Sequence, residues 1–161
     1  MTSAAQLDKV PRVISITSGK GGVGKTNIAL NLALALTECG KRVLLLDADL
    51  GLANLNVLLG LKPTATIEHV ISGAARAQDI ILNYRPDLDL IPASSGVQSL
   101  THLDEIACQS LSTSIEEVGR NYDYLLVDTG AGIGNNVTFF NAAADETIVV
   151  INHEPTSLTD A

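Results

Sequence analysis

The run Gly19-Lys20-Gly21-Gly22-Val23-Gly24-Lys25-Thr26 carries the most concentrated chemistry in this sequence. It fits G-x-x-x-x-G-K-[ST], a loop that cradles phosphate. Glycines admit positive φ, so successive backbone N–H groups can turn inward onto phosphate oxygens. The N-terminus of a following helix adds partial positive charge at the same point. Lys25 supplies a compact cation for the β- and γ-phosphates, and Thr26 a hydroxyl ligand for Mg²⁺. Asn27, next on that helix, joins Gly19 to Thr26 as a candidate nucleotide contact. A rival pattern overlaps: Gly19-x-Gly21-x-x-Gly24 also fits the dinucleotide fingerprint, with Asp47 as its acidic partner. Lys25 and Thr26 have no role in that chemistry, and Lys20 inside the turn would crowd it.

Three carboxylates are placed to meet the loop. Asp47 and Asp49 follow the apolar run Val43–Leu46, and Asp128 follows Tyr124–Val127. In an open parallel sheet the carboxyl ends of the strands share one edge with the phosphate loop. Clustered like charges are unfavourable alone, and a bound Mg²⁺ removes that penalty. Asp128 is therefore read as a metal carboxylate, Asp47 as an outer contact through water, and Asp49 as a group that orients an attacking water. Two further segments, Asp49–Asn56 and the glycine-bearing Asp128–Gly134, have the make-up of loops that sense a γ-phosphate.

The elements that must hold these groups alternate along the chain. Arg12–Thr17, Arg42–Leu46, Leu88–Ile91, Tyr124–Val127 and Thr147–Ile151 read as strands. Lys25–Glu38 reads as a helix stopped by Gly40, with Ile28, Leu32, Ala35 and Leu36 as one apolar stripe and Leu30 and Leu34 on another face. Thr66–Ser72, Ala77–Leu82, Asp104–Arg120 and Asn136–Ala144 read as further helices. Alternation of this kind predicts an α/β fold, a mostly parallel, doubly wound sheet with helices on both faces. Residues 1–11 read as a polar tail. Ser157 with Asp160 looks like a helix start, so the chain reads as the N-terminal portion of something longer.

Composition closes off other classes. The chain has 161 residues, 46% of them hydrophobic, enough for a packed core without staples. It carries two cysteines and net charge −8. No zinc or disulfide pattern is present, and a reducing cytoplasm fits. The first 80 residues hold 8 basic and 6 acidic side chains, the remainder 2 and 12. That leaves no basic face for nucleic acid, and with 3% aromatics no platform for stacking bases.

Taken together, these residues resemble the MinD/ParA group of P-loop ATPases. The distinctive feature is the variant loop Lys20-Gly-Gly-Val-Gly-Lys25-Thr26 with its additional lysine. Asp47–Asn54 and Asp128–Ile133 resemble the two switch regions of that group. The tract Leu45–Leu61, Ile91–Gly96 and Glu154–Asp160 are most similar to its flagellar-number branch. The resemblance implies that residues 12–161 are the N-terminal part of a P-loop ATPase domain. It implies an ATP-dependent, slowly hydrolysing homodimer in which Lys20 reaches the partner's phosphates. Lys25 and Thr26 would hold ATP and Mg²⁺, Asp47 and Asp128 would support the metal, Asp49 would align water, and Asn54 would lie near the dimer interface. A partner GTPase or regulator of flagellar assembly is implied. So is membrane contact through a C-terminal amphipathic helix in a full-length form, peripheral at the inner membrane. Gly130 departs from a more frequent Pro or Ala, which implies a looser second switch, and Asn56 replaces a frequent Asp.

Other readings belong to different classes. The chain could be an inactive or interaction-only fragment that keeps the phosphate loop, or a ParA-type partition ATPase or iron–sulfur carrier. The carrier lacks its cysteine pair here. His69, His102 and His153 have no ligand spacing and read as structural or exposed, and Cys39 and Cys108 as helix-end or core residues. The leucine-rich tract Leu55–Leu61 reads mainly as core packing, with a partner surface as the alternative.

Overall fold

The computed structural model describes residues 10–50, 54–93 and 105–153. Six strands, β1 (Arg12–Ser18), β2 (Val43–Ala48), β3 (Leu82–Arg85), β4 (Leu88–Ile91), β5 (Tyr124–Ala131) and β6 (Glu146–Val149), form one sheet in the order β3-β4-β2-β5-β1-β6. All neighbouring pairs are parallel except β3–β4. Among the described residues five helices accompany them: α1 (Lys25–Glu38), α2 (Leu55–Leu58), α3 (Ile67–Ile71), α4 (Glu105–Gly119) and α5 (Asn135–Ala143).

Strand alternation divides the core in two. Leu44, Leu46, Leu125 and Val127 point to one face, where Ile67 of α3, Leu111, Ile115 and Val118 of α4 and Phe140 of α5 cover them. Val43, Leu45 and Leu126 point to the other, against Ala29, Leu30 and Ala33 of α1 and Leu55 of α2. A continuous apolar run such as Val43–Leu46 is what a strand covered on both faces requires. The mostly parallel, doubly wound α/β architecture expected from the sequence is therefore the one observed.

Several elements differ from expectation, each for a physical reason. Asp47 and Asp128 lie within β2 and β5 rather than beyond them, because parallel pairing continues through Asp47↔Asp128 and Ala48↔Thr129. Ala77–Leu82 is not one helix. It splits into a 3₁₀ turn over Ala77–Ile80 and the start of β3, which folds back antiparallel on β4 through a turn at Asp87, φ 63°. On α1 the buried line is Ala29, Leu30 and Ala33, while Ile28 is 40% exposed. The helix is apolar nearly all round, so its phase is decided by the alanines that allow close approach to the sheet. Gly40 does end the helix, at φ 71° with its N–H donating to the Thr37 carbonyl. Pro11 is buried, and a Cβ added to Gly119 would come within 3.2 Å of its ring. The helix start expected after Pro155 lies outside the described residues, as do residues 1–9 of the expected tail.

Candidate functional site

Strands β1, β5 and β2 lie side by side, and their carboxyl ends bring the phosphate loop, Asp128 and Asp47 to one edge. The loop leaves β1 after Ser18 and enters α1 at Lys25. Gly22 and Gly24 hold φ of 77° and 96°, a region that L side chains rarely enter. Lys25, the first residue of α1, is 8% exposed, and Thr26 beside it is half-buried.

A cleft of about 810 Å³ opens over this edge. Its floor is the phosphate loop and helix start, Gly21, Gly22 and Gly24 to Asn27. One wall is Ala48 to Leu50 with Asn54, Val57 and Leu58. The other is Gly130, Ala131 and Gly134 with Asn136 and Val137. Eight of the expected site residues therefore line one cavity: Gly21, Gly22, Gly24, Lys25, Thr26, Asn27, Asp49 and Asn54. Gly19, Lys20 and Val23 belong to the same loop but are not among the lining residues, and Val23 packs toward the core under α1.

Asp128 is 1% exposed, and neither carboxylate oxygen has a hydrogen-bond partner among the described residues. Burial pushes its pKa up to about 6. The nearby Thr26 hydroxyl and the Lys25 charge pull downward, and the Asp49 charge adds a push upward. The Thr26 hydroxyl is thus close enough to act on the carboxylate, yet it does not meet the geometry of a formed hydrogen bond. Two buried, unpartnered oxygens beside a hydroxyl and an ammonium fit a hard cation. No cluster of three His, Cys, Asp or Glu capable of holding a metal exists among the described residues. Mg²⁺ is commonly held by one or two protein oxygens together with substrate phosphates.

Asp47, expected beside the metal, commits both oxygens to its own loop. Oδ1 accepts from the Asp49 N–H at 3.2 Å, and Oδ2 accepts from Asn54 and Leu55 at 3.1 and 3.2 Å. Burial raises its pKa to about 7, the Leu55 N–H opposes that, and the Asp128 charge adds to it. The carboxylate thereby ties both ends of the first loop to the sheet. Asp49 is half-buried beyond β2, facing the second loop: a Cβ at Gly130 would sit 3.5 Å from Asp49 Oδ1 and 3.7 Å from Val137. Those are ordinary contacts, so Gly130 has room for an alanine.

The cleft also includes residues that the sequence reading did not select. Val57 and Leu58 of α2 are 74% and 50% exposed, while Leu55 is buried. The tract expected to be mainly core is core at Leu55, packs against the core at Leu59 and Leu61, and is exposed at Val57 and Leu58. Asn136 lies at the start of α5 after a glycine-rich loop, a position whose helix N-terminus could have flagged it. His69 is structural: its Nδ1 accepts from the Thr66 N–H at the start of α3. His153 is exposed and His102 lies outside the described residues. Cys39 is exposed at the end of α1 and Cys108 is buried.

The sequence pattern of the AAA domain family matches residues 11–160. The chain belongs to this family. Within it, the chain is 50% identical over 150 residues to the antiactivator FleN of Pseudomonas aeruginosa, covering 93% of this chain and 54% of that protein. It is 43% identical over 152 residues to the flagellum site-determining protein YlxH of Helicobacter pylori, covering 93% and 51%. The solved structure of the septum site-determining protein MinD of Pyrococcus horikoshii, complexed with Mg-ADP, superposes with a TM-score of 0.81 at 33% identity, covering 94% of this chain and 62% of that one. This AAA-domain chain thus shares the MinD fold and the MinD-like and flagellar resemblance read from its motifs, and it spans about half the length of the curated relatives it matches.

Proposed function

We propose that this chain is the nucleotide-binding portion of an ATP-binding, slowly hydrolysing dimerisation switch of the MinD/ParA class that controls flagellar number or placement. The observation that carries the reading is Asp128: two buried oxygens without partners, next to Thr26 and Lys25, beneath a glycine loop with two positive-φ positions. In this reading the loop amides and Lys25 hold the β- and γ-phosphates, and Thr26 and Asp128 hold Mg²⁺. Held by Thr26 and Asp128, the ion would supply positive charge against the charge that develops on the phosphates. Asp47 holds the first loop so that Asp49 can align a water in line with the γ-phosphorus. Lys20 of each subunit serves the nucleotide of its partner.

Calorimetry tests the binding step. ATP should bind with Mg²⁺ present and bind far more weakly with chelator, whereas a preference for a nicotinamide dinucleotide would reject the reading. Asp49 carries a separate prediction. In the natural protein Asp49→Ala should accumulate an ATP-bound dimer, seen by light scattering, with turnover reduced about a hundredfold if water positioning is lost. Unchanged hydrolysis would remove Asp49 from that role.

A second reading rests on β6. All four of its residues are exposed, and Ile148, Val149 and the following Ile151 present apolar side chains beside the end of the described sheet. Such an edge favours pairing with another chain or segment. An interaction module would retain that pairing and show no magnesium-dependent ATP binding in the calorimeter.

A further inference from the structure

We infer that Ser18 is a positioning residue that sets the backbone at Lys20 and ties it to the second glycine loop. The inference rests on the proposed role of Lys20 and extends it to the device that presents the lysine.

Ser18 is the last residue of β1 and is 2% exposed. Its hydroxyl donates to the Lys20 carbonyl at 2.7 Å, fixing the first turn of the phosphate loop. Its own carbonyl accepts from the Gly132 N–H at 2.8 Å. One buried residue therefore holds Lys20 through its side chain and the Gly130–Gly134 loop through its backbone.

The register around it is irregular for a reason. β1 pairs Ile16 with Asp128 and Ser18 with Ala131, so β5 carries one more residue than β1 across this step. The bulge disrupts the regular ladder, and the buried Thr129 hydroxyl donates to the Ile16 carbonyl at 3.0 Å. Bulges of this kind re-aim nearby groups and are common beside active sites. Here the bulge ends where Ala131 meets Ser18, with Asp128 at its start and Gly132 just after it. A shift of the second loop that breaks or moves the Gly132–Ser18 bond acts directly on the residue that holds Lys20. Contact between the loop and a γ-phosphate is thereby linked to the placement of the lysine offered to the other subunit.

The path leaves Lys25 and Thr26 outside it, since α1 is anchored by its own buried face. Loss of the Ser18 hydroxyl should therefore act more on turnover and dimerisation than on nucleotide affinity.

The test uses the natural protein with Ser18→Ala, Ser18→Thr and Lys20→Ala. Removing one partly buried hydrogen bond is worth about ten-fold. Ser18→Ala should lower kcat and ATP-dependent dimer affinity about ten-fold, with KM for ATP within about two-fold. Ser18→Thr, which keeps the hydroxyl, should restore both. If Ser18→Ala does not fold, Ser18→Cys, of similar size with a weak donor, is read for the same kcat-against-KM split. Turnover equal to the parent overturns the inference, as does a rise in KM that matches the fall in kcat, or a Thr variant no better than Ala. Lys20→Ala separates the two levels. If that variant is inactive while Ser18→Ala behaves as the parent, only the role of Ser18 falls. If Lys20→Ala itself turns over normally, the reading of Lys20 falls and this inference falls with it.

Discussion

Lys20→Ala in the natural protein should bind Mg-ATP within about two-fold of the parent, fail to dimerise and lose about a thousandfold or more in turnover, the scale of a charge supplied in trans to phosphoryl transfer. The two lysines of the loop occupy different physical situations. Lys25 sits 8% exposed on the first turn of α1, beside the buried carboxylate of Asp128, and lines the cleft. Lys20 stands five residues earlier, half-buried at the outer turn of the loop, and is not among the residues that line the cleft. A cation in that place has little to add to ground-state binding in its own subunit. In the proposed reading it would stabilise the charge that develops on a neighbouring subunit's phosphates, so its loss should fall on kcat rather than on affinity. Equilibrium binding, sedimentation and steady-state hydrolysis on one preparation separate these effects. A monomeric Lys20→Ala variant with undiminished hydrolysis would sink the trans role. An arginine at position 20 should restore only part of the activity, because a planar fork does not replace a point charge on a tight turn.

Local chemistry was the most legible part of this molecule. The glycine loop was readable because eight consecutive residues state it, and the positive φ of Gly22 and Gly24 is the conformation those glycines permit. The aspartates were readable because strand ends converge in a parallel sheet. The hydrogen bonds that each aspartate makes were not. Asp47 looks like a metal neighbour in sequence, yet its oxygens accept from Asp49, Asn54 and Leu55, a pattern set by how the loop returns to the sheet. The bond from Gly132 to Ser18 joins residues more than a hundred positions apart, across a bulge that no local signal announces. β3 carries little local signal, because Leu82–Arg85 is four residues long and has one half-buried side. Phase on α1 was ambiguous because apolar side chains surround the helix, and close packing of Ala29 and Ala33 resolves what periodicity cannot.

Asp128→Asn should abolish magnesium-dependent nucleotide binding, by about a hundredfold or more, and still make the ligand-free chain more stable at pH 8. The two effects share one cause. Asp47 and Asp128 face each other in register on β2 and β5, both nearly fully buried. Their folded pKa values are raised from 3.8 to about 7 and about 6, chiefly by burial. A raised carboxyl pKa means that the unfolded chain ionises first. The stability these groups contribute is complete below about pH 4 and is lost as pH rises through 6 and 7. They titrate as a pair, and together the loss is on the order of a few kcal/mol. Asparagine removes the buried charge and the repulsion on Asp47, so the thermal midpoint at pH 8 should rise by roughly 5 °C. Below about pH 4, where the folded and unfolded chains both hold these protons, the advantage should nearly vanish. Mg-ATP should stabilise the parent at pH 8 and leave the variant unchanged, because the variant lacks the anionic oxygens that a cation requires. A variant less stable than the parent at pH 8 would show that Asp128 is not a strained charge in the ligand-free protein. Retained magnesium dependence would show that the cation is held elsewhere. If both expectations hold, the empty site is destabilised by the same carboxylates that make it selective for a metal-bound nucleotide.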